Sequence, residues 1–262
     1  MTLAKKSLGQ HWLADAETLD YIVSQADLSP QDIVLEVGPG TGSLTSKLLA
    51  TGVRVEAVEK DDVLAAKLLP HKNLKVITGD ILKFDLSELT SSYKVVANIP
   101  YYLTNYLMRM LVTSTNPPAK MVLLVQQEVA QRICAEPGQM SVLAVSVQLD
   151  YDCQLGKLVP AELFQPPPQV DSQVIILNRL TQPRFKGLNR ELFFQIVKAG
   201  FSARRKKLRS ALAGGLAISK EEIDKLLGMA GIDDNRRAQE LSLADWAKLY
   251  QVFTGLPRPN NT

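Results

Sequence analysis

Residues 98–101, Asn98-Ile99-Pro100-Tyr101, follow an apolar run from Lys94 to Ala97 that reads as a buried strand. They form a small chemical set. The side-chain oxygen of Asn98 and the backbone oxygen of Ile99 are two acceptors. Pro100 fixes the turn and adds no competing donor. Tyr101 offers a flat face on which a heterocycle can stack, as flipped bases do. The set suits an exocyclic amine on a base, whose lone pair is delocalised into the ring. Acceptors on both its hydrogens favour a more pyramidal, more nucleophilic nitrogen. Methyl transfer to that nitrogen requires no general base, because the amine becomes strongly acidic once methylated. Positioning and electrostatics then carry the work. A plain Asn-x-Pro turn with a packed tyrosine is the competing reading. Tyr102, which opens the next helix, is expected to pack.

A second set lies upstream. Gly38-Pro39-Gly40-Thr41-Gly42 follows the run Ile33 to Val37 and precedes a helical stretch, Leu44 to Ala50. A glycine turn in that context lets backbone approach a ligand closely. Glu59 ends the following strand, where a carboxylate can accept from both ribose hydroxyls of an adenosine-containing cofactor. Asp80, after Gly79, ends the third strand and suits an adenine amine. The spacing is G-x-G-x-G rather than the dinucleotide G-x-G-x-x-G, and Pro39 removes a backbone donor. A cofactor without phosphate fits this better, and S-adenosyl-L-methionine is the one expected, with Gly38 and Gly40 along its methionine tail.

These residues must be positioned by strands. Ile33–Val37, Val53–Val58, Leu74–Thr78, Lys94–Ala97 and Met121–Gln126 read as strands, and Leu143–Leu149 and Val174–Leu180 as two further ones. Helical stretches alternate with the first five (16–26, 44–50, 61–69, 102–112). The pattern predicts a doubly wound, largely parallel α/β sheet with the strand ends converging on one crevice. Beyond Thr181 the stretches 189–200, 202–213, 219–229 and 242–254 all read as helices. The expected division is therefore an α/β domain over 1–182 and a small all-helical domain over 183–262.

The 262-residue chain is 46% apolar and 22% charged, an ordinary globular composition. No apolar run approaches the roughly 18 residues of a membrane span. The start, MTLAKK, has no apolar core behind it, so no signal peptide and a cytoplasmic location are expected. Two histidines (His11, His71) and two cysteines (Cys134, Cys153) without a C-x-x-C argue against a metal site or disulfide. Net charge is +3, yet residues 183–215 hold nine Lys/Arg and one acid, Glu191, so that segment is +8 and the remainder −5. A basic block on an acidic background points to a polyanion bound at one place; a solvated basic helix face is the alternative.

Taken together the motifs resemble the ribosomal RNA adenine dimethyltransferases. The resemblance runs through Leu35–Gly42 (LEVGPGTG), Asn98–Tyr101, Lys6–Leu13 (KSLGQHWL, like the family's G-Q-N-F-L element), Leu124–Arg132 (LVQQEVAQR, like Q-K-E-V-A-x-R), Phe164–Ser172 (FQPPPQVDS, like F-x-P-P-P-K-V-D-S) and Phe201–Leu208 (FSARRKKL). It implies a Rossmann-like S-adenosylmethionine-dependent methyltransferase sheet with a helical RNA-binding C-terminal domain. It implies cofactor contacts at His11, Leu13, Gly38, Glu59, Asp80 and Asn98, with Gln10 alongside. The implied reaction is two successive methyl transfers to an adenine amine. In the small-subunit members the targets are two adjacent adenines in a hairpin loop near the 3′ end of the rRNA, methylated in a pre-assembled subunit; a monomer is expected. A related group methylates a large-subunit adenine and confers macrolide resistance, and this is the alternative. His11 and Trp12 stand where the family usually has Asn and Phe, and Ile99 where the small-subunit group more often has Leu. Arg204, Arg205, Lys206, Lys207 and Arg209 are expected to hold phosphates. Phe164 is either a second stacking wall for the base or a core residue anchoring its loop.

Overall fold

Short runs of β-branched and aliphatic residues, such as Ile33-Val34-Leu35 and Met121 to Val125, are apolar on both faces and can only be satisfied at the centre of a covered sheet. In a computed structural model, which describes residues 9–203 and 205–255, they occupy that place. The elements in chain order are β1 (Trp12–Leu13), α1 (Ala16–Gln25), β2 (Ile33–Val37), α2 (Ser43–Ala50), β3 (Arg54–Glu59), α3 (Asp62–Ala65), β4 (Leu74–Thr78), β5 (Lys94–Asn98), α4 (Thr104–Thr113), β6 (Lys120–Gln126) and α5 (Gln127–Ile133). They continue as α6 (Val142–Gln148), β7 (Tyr151–Val159), β8 (Phe164–Gln165), β9 (Ser172–Arg179), α7 (Arg190–Phe201), α8 (Leu208–Leu216), α9 (Lys220–Ala230) and α10 (Leu243–Thr254).

Two compact units result. The first runs up to Gln131 and adds Tyr151–Leu180; the second comprises Arg132–Asp150 and the chain from Thr181. The first unit holds a seven-stranded sheet in the order β4-β3-β2-β5-β6-β9-β7. Strands β4, β3, β2, β5 and β6 are mutually parallel, and β9 runs antiparallel to both β6 and β7. The strand order reverses between β2 and β5, which opens a crevice beyond their carboxyl ends. The glycine loop follows β2 and Asn98 ends β5, so both stand at that crevice. A separate two-stranded ribbon pairs β1 with β8, Trp12 opposite Gln165 and Leu13 opposite Phe164.

The second unit is helical. Met140, Ala144, Val145 and Leu149 pack with Phe193, Ile196, Val197, Leu208, Leu212, Ile223, Leu227 and Trp246 in one core. Helices approach closely where glycine allows it: a Cβ at Gly200 would overlap the Trp246 indole.

Three features differ from the sequence reading. Leu143–Leu149 is helical, as α6, and not a strand. Its valines favour strand locally, but Ser141 caps the helix by accepting from the Ala144 N–H at 3.1 Å, and burial in the helical core overrides propensity. Tyr151–Val159 is an edge strand that polar residues and Gly156 disguise; it bulges between Leu155 and Leu158. The helical unit takes the chain from Thr181 but also residues 132–150, which the expected division left with the sheet.

Candidate active site

The crevice at the sheet's carboxyl edge is open to solvent and is lined from Gln10, the glycine loop, the ends of β3 and β4, and Asn98 to Leu103. Its floor is the glycine loop. Gly38, Gly40 and Gly42 have φ of 67°, 58° and 84°, a conformation glycine adopts without a Cβ penalty. A Cβ at Gly40 would also lie 3.1 Å from the Trp12 indole, which rests on the loop.

Glu59 ties this loop to β3. It is buried, with one carboxylate oxygen accepting from the Gly40 N–H at 3.0 Å and the other from the Asp61 N–H at 2.8 Å. A carboxylate has about four acceptor positions, so each oxygen keeps one for a ligand. Asp80 accepts from the Leu82 N–H at 3.1 Å and pairs with the Lys60 ammonium at 2.8 Å. The Lys60 hydrogen bond holds its carboxyl below the usual range, so it is an anionic acceptor at neutral pH. Gln10 donates to Asp61 Oδ2 at 3.2 Å, which anchors the segment carrying His11 and Trp12.

Asn98 ends β5 and lines the crevice. Its Nδ2 donates to the His11 backbone carbonyl at 3.1 Å. A carbonyl only accepts, so this contact takes one hydrogen of the NH₂ group and fixes the rotation of the amide, leaving Oδ1 as the acceptor. Ile99 follows with its side chain buried and its N–H donating to the Leu124 carbonyl at 3.1 Å. Pro100 and Tyr101 then turn the chain along the crevice wall. The Tyr101 hydroxyl lies 2.7 Å from Ser172 Oγ, and burial raises its pKa. The His11 imidazole lies nearly parallel to the Tyr101 ring, with centroids 5.8 Å apart and planes at 20°. Its Nδ1, 2.8 Å from the Pro166 carbonyl, must carry the proton of that bond.

Residues 1–255 match the family described as "Ribosomal RNA adenine dimethylase". The chain belongs to that family. A curated relative, "Ribosomal RNA small subunit methyltransferase A" of Dehalococcoides mccartyi, is 42% identical over 261 residues, covering 97% of this chain and 90% of the relative. Among solved structures, a dimethyladenosine transferase from Plasmodium falciparum superposes with a TM-score of 0.80 at 25% identity, covering 94% of this chain and 98% of the other. The 23S rRNA methyltransferase ErmE gives 0.77 at 25% identity, covering 93% and 99%.

As a family member, the chain is an S-adenosylmethionine-dependent rRNA adenine methyltransferase with a Rossmann-like sheet. The crevice suits that cofactor: a cradle that side chains would fill, Glu59 with open acceptor positions beside it, and anionic Asp80 at the next strand end. Most of the expected site residues meet there, namely Gln10, His11, Gly38, Gly40, Glu59, Asp80 and Asn98 through Tyr101.

The other expected residues stand elsewhere. The Leu13 side chain is not part of the crevice lining; it is 3% exposed and packs in the sheet core opposite Phe164. Phe164 is 4% exposed in the same core, so it offers no face to a base and serves as the loop's anchor. Tyr102 does not pack inside: it is 51% exposed and lines the crevice. Arg204 lies outside the described residues. Arg205, Lys206 and Lys207 are exposed, but Lys207 donates to Asn235, and Arg209 is ion-paired with Asp224 at 2.5 Å. Trp12 and Lys60 also line the crevice, and Asp61 and Ser172 hold the lining residues Gln10 and Tyr101; the sequence reading assigned none of the four to the site. The pair Lys60-Asp61 directly after Glu59 was a readable signal; nothing near Ser172 in sequence pointed to Tyr101.

Among the described residues no group of three or more His, Cys, Asp or Glu could hold a metal ion, and no helix is long and apolar enough to cross a membrane.

Proposed function

We propose that this chain dimethylates two adjacent adenines in the 3′-terminal hairpin loop of small-subunit rRNA, acting as a cytoplasmic monomer on a pre-assembled subunit during its biogenesis. One observation carries the chemistry: Asn98 is held by its Nδ2 in the crevice lining, so its oxygen is left to accept, with Tyr101 beside it. The small-subunit assignment is supported by 42% identity to a small-subunit enzyme across nearly the whole chain, against 25% to ErmE.

Gly38, Gly40, Glu59, Asp80 and Gln10 would hold S-adenosylmethionine, which supplies an electrophilic methyl group. The protein's part is orientation. Asn98 Oδ1 and the Ile99 carbonyl accept the two amine hydrogens and direct the nitrogen lone pair into the crevice. Tyr101 holds the base plane. The nitrogen would take the methyl carbon as that carbon's bond to the cofactor's sulfonium sulfur breaks, the neutral thioether being the leaving group, and its surplus proton would pass to water, since the alkylated amine is strongly acidic. The second transfer starts from an amine with one hydrogen, so one of the two acceptors then suffices.

The test is transfer of tritiated methyl groups into isolated small and large subunits lacking the modification. Label in small-subunit adenines, and an Asn98→Ala chain slower by about a hundredfold or more at saturating cofactor, is the expected outcome, in line with the loss of one preorganised polar contact to a reacting group. Label confined to the large subunit would refute the assignment in favour of the large-subunit reading.

A further inference from the structure

Helix α4 is amphipathic, with Thr104, Leu107, Met108, Leu111 and Val112 on its buried face. Its outer face carries two tyrosines where polar residues are usual. Tyr102, in the turn leading into the helix, is 51% exposed, and Tyr106 is 67% exposed. They are four residues apart, so their side chains are neighbours on one face. Arg109, three residues on, is also exposed on that face. The helix packs beside the Ile81–Lys83 turn, where Leu82 and Lys83 are exposed. The row begins inside the crevice, because Tyr102 is part of its wall.

Exposed rings in succession, with guanidinium and ammonium groups beside them, match the chemistry of a single-stranded nucleic-acid track. Rings accept bases of any sequence, and cations take the phosphates between them. A target adenine lifted out of a loop leaves its neighbours unstacked at the crevice mouth. We infer that Tyr102, Tyr106 and Arg109 form a stacking track for the nucleotides flanking the target adenine, continuous with the methylation crevice. This rests on the proposed function and adds a substrate-positioning surface to it. Tyr106 and Arg109 lie outside the crevice lining and contribute through RNA binding alone.

Steady-state methyl transfer into unmodified small subunits tests this with Tyr106→Ala, Tyr106→Phe and Arg109→Ala in the full chain. Tyr106→Ala is expected to raise KM for the subunit about tenfold, with kcat and the KM for S-adenosylmethionine unchanged. Tyr106→Phe keeps the ring and should match the parent chain. Arg109→Ala should raise KM and lower the slope of log affinity against log salt by roughly one. A subunit KM for Tyr106→Ala within twofold of the parent, or a Tyr106→Phe defect as large as that of Tyr106→Ala, overturns the track. Absence of transfer by the parent chain overturns the functional reading and the track together, so the two failures are distinguishable.

Discussion

Glu36 shows how one residue writes pH into the stability of the fold. It is the fourth of the five residues of β2, 1% exposed, with the Thr45 hydroxyl as its neighbour and an Oε2 that has no hydrogen-bond partner. Burial, with the Glu59 charge nearby, pushes its pKa up from 4.5 to about 8. The folded chain therefore keeps this proton at neutral pH while the unfolded chain releases it. Between the ordinary value and about pH 8 the folded state binds more protons, so stability falls as pH rises and levels off above that window. Glu36→Gln places a neutral amide there permanently. Its stability relative to the parent should grow by roughly a few kcal/mol from pH 5 to pH 8, since each pH step of one within the window is worth about 1.4 kcal/mol. Urea unfolding of the cofactor-free protein at both pH values measures this, and a constant difference between the chains would contradict it.

At the scale of elements, the crevice depends on a strap. The segment from Phe164 to Ser172 pairs with β1, accepts from the His11 ring at the Pro166 carbonyl and meets the Tyr101 hydroxyl at Ser172. Asp171 secures its C-terminal end, accepting from the Gln127 N–H at 3.0 Å on its backbone and the Ala161 N–H at 2.9 Å on its side chain. Tyr101→Phe keeps the ring but leaves the fully buried Ser172 hydroxyl without its partner. It should cost about 1–3 kcal/mol of stability in thermal or urea unfolding, and methyl transfer should fall far less than in Tyr101→Ala. Equal activity losses in the two variants would mean that the hydroxyl, and not the ring, is what the reaction uses. The sequence made the glycine loop, Glu59, Asp80 and Asn98 legible, because each stands at the end of a β-branched run whose period announces a strand. The strap was not legible in the same way. Trp12 and Gln165 pair across more than 150 positions in a ribbon of two residues per strand, too short to leave a periodicity. Helix α6 was misread for the opposite reason: its valines speak locally for a strand, and only distant partners such as Phe193 decide otherwise.

For the whole molecule, charge and connectivity matter most. Reversing Arg205 and Lys206, both exposed in the helical unit, should weaken RNA binding uniformly across sequences and flatten its salt dependence by roughly one in log–log slope per side chain. Filter binding from low to high salt measures it; unchanged slopes would remove these side chains from the phosphate contacts. Arg209→Ala should matter less, since its guanidinium is already engaged by Asp224. Connectivity has a different effect. The helical unit is encoded in two pieces, with strands β7 to β9 of the other unit between them. During synthesis α6 therefore leaves the ribosome well before Phe193, Ile196 and Trp246, residues of the core it joins. The sheet can close first, while Met140, Ala144, Val145 and Leu149 await their partners. A chain ended at residue 182 would keep that uncovered helix permanently, so the catalytic unit cannot be released as a clean fragment by a single cut.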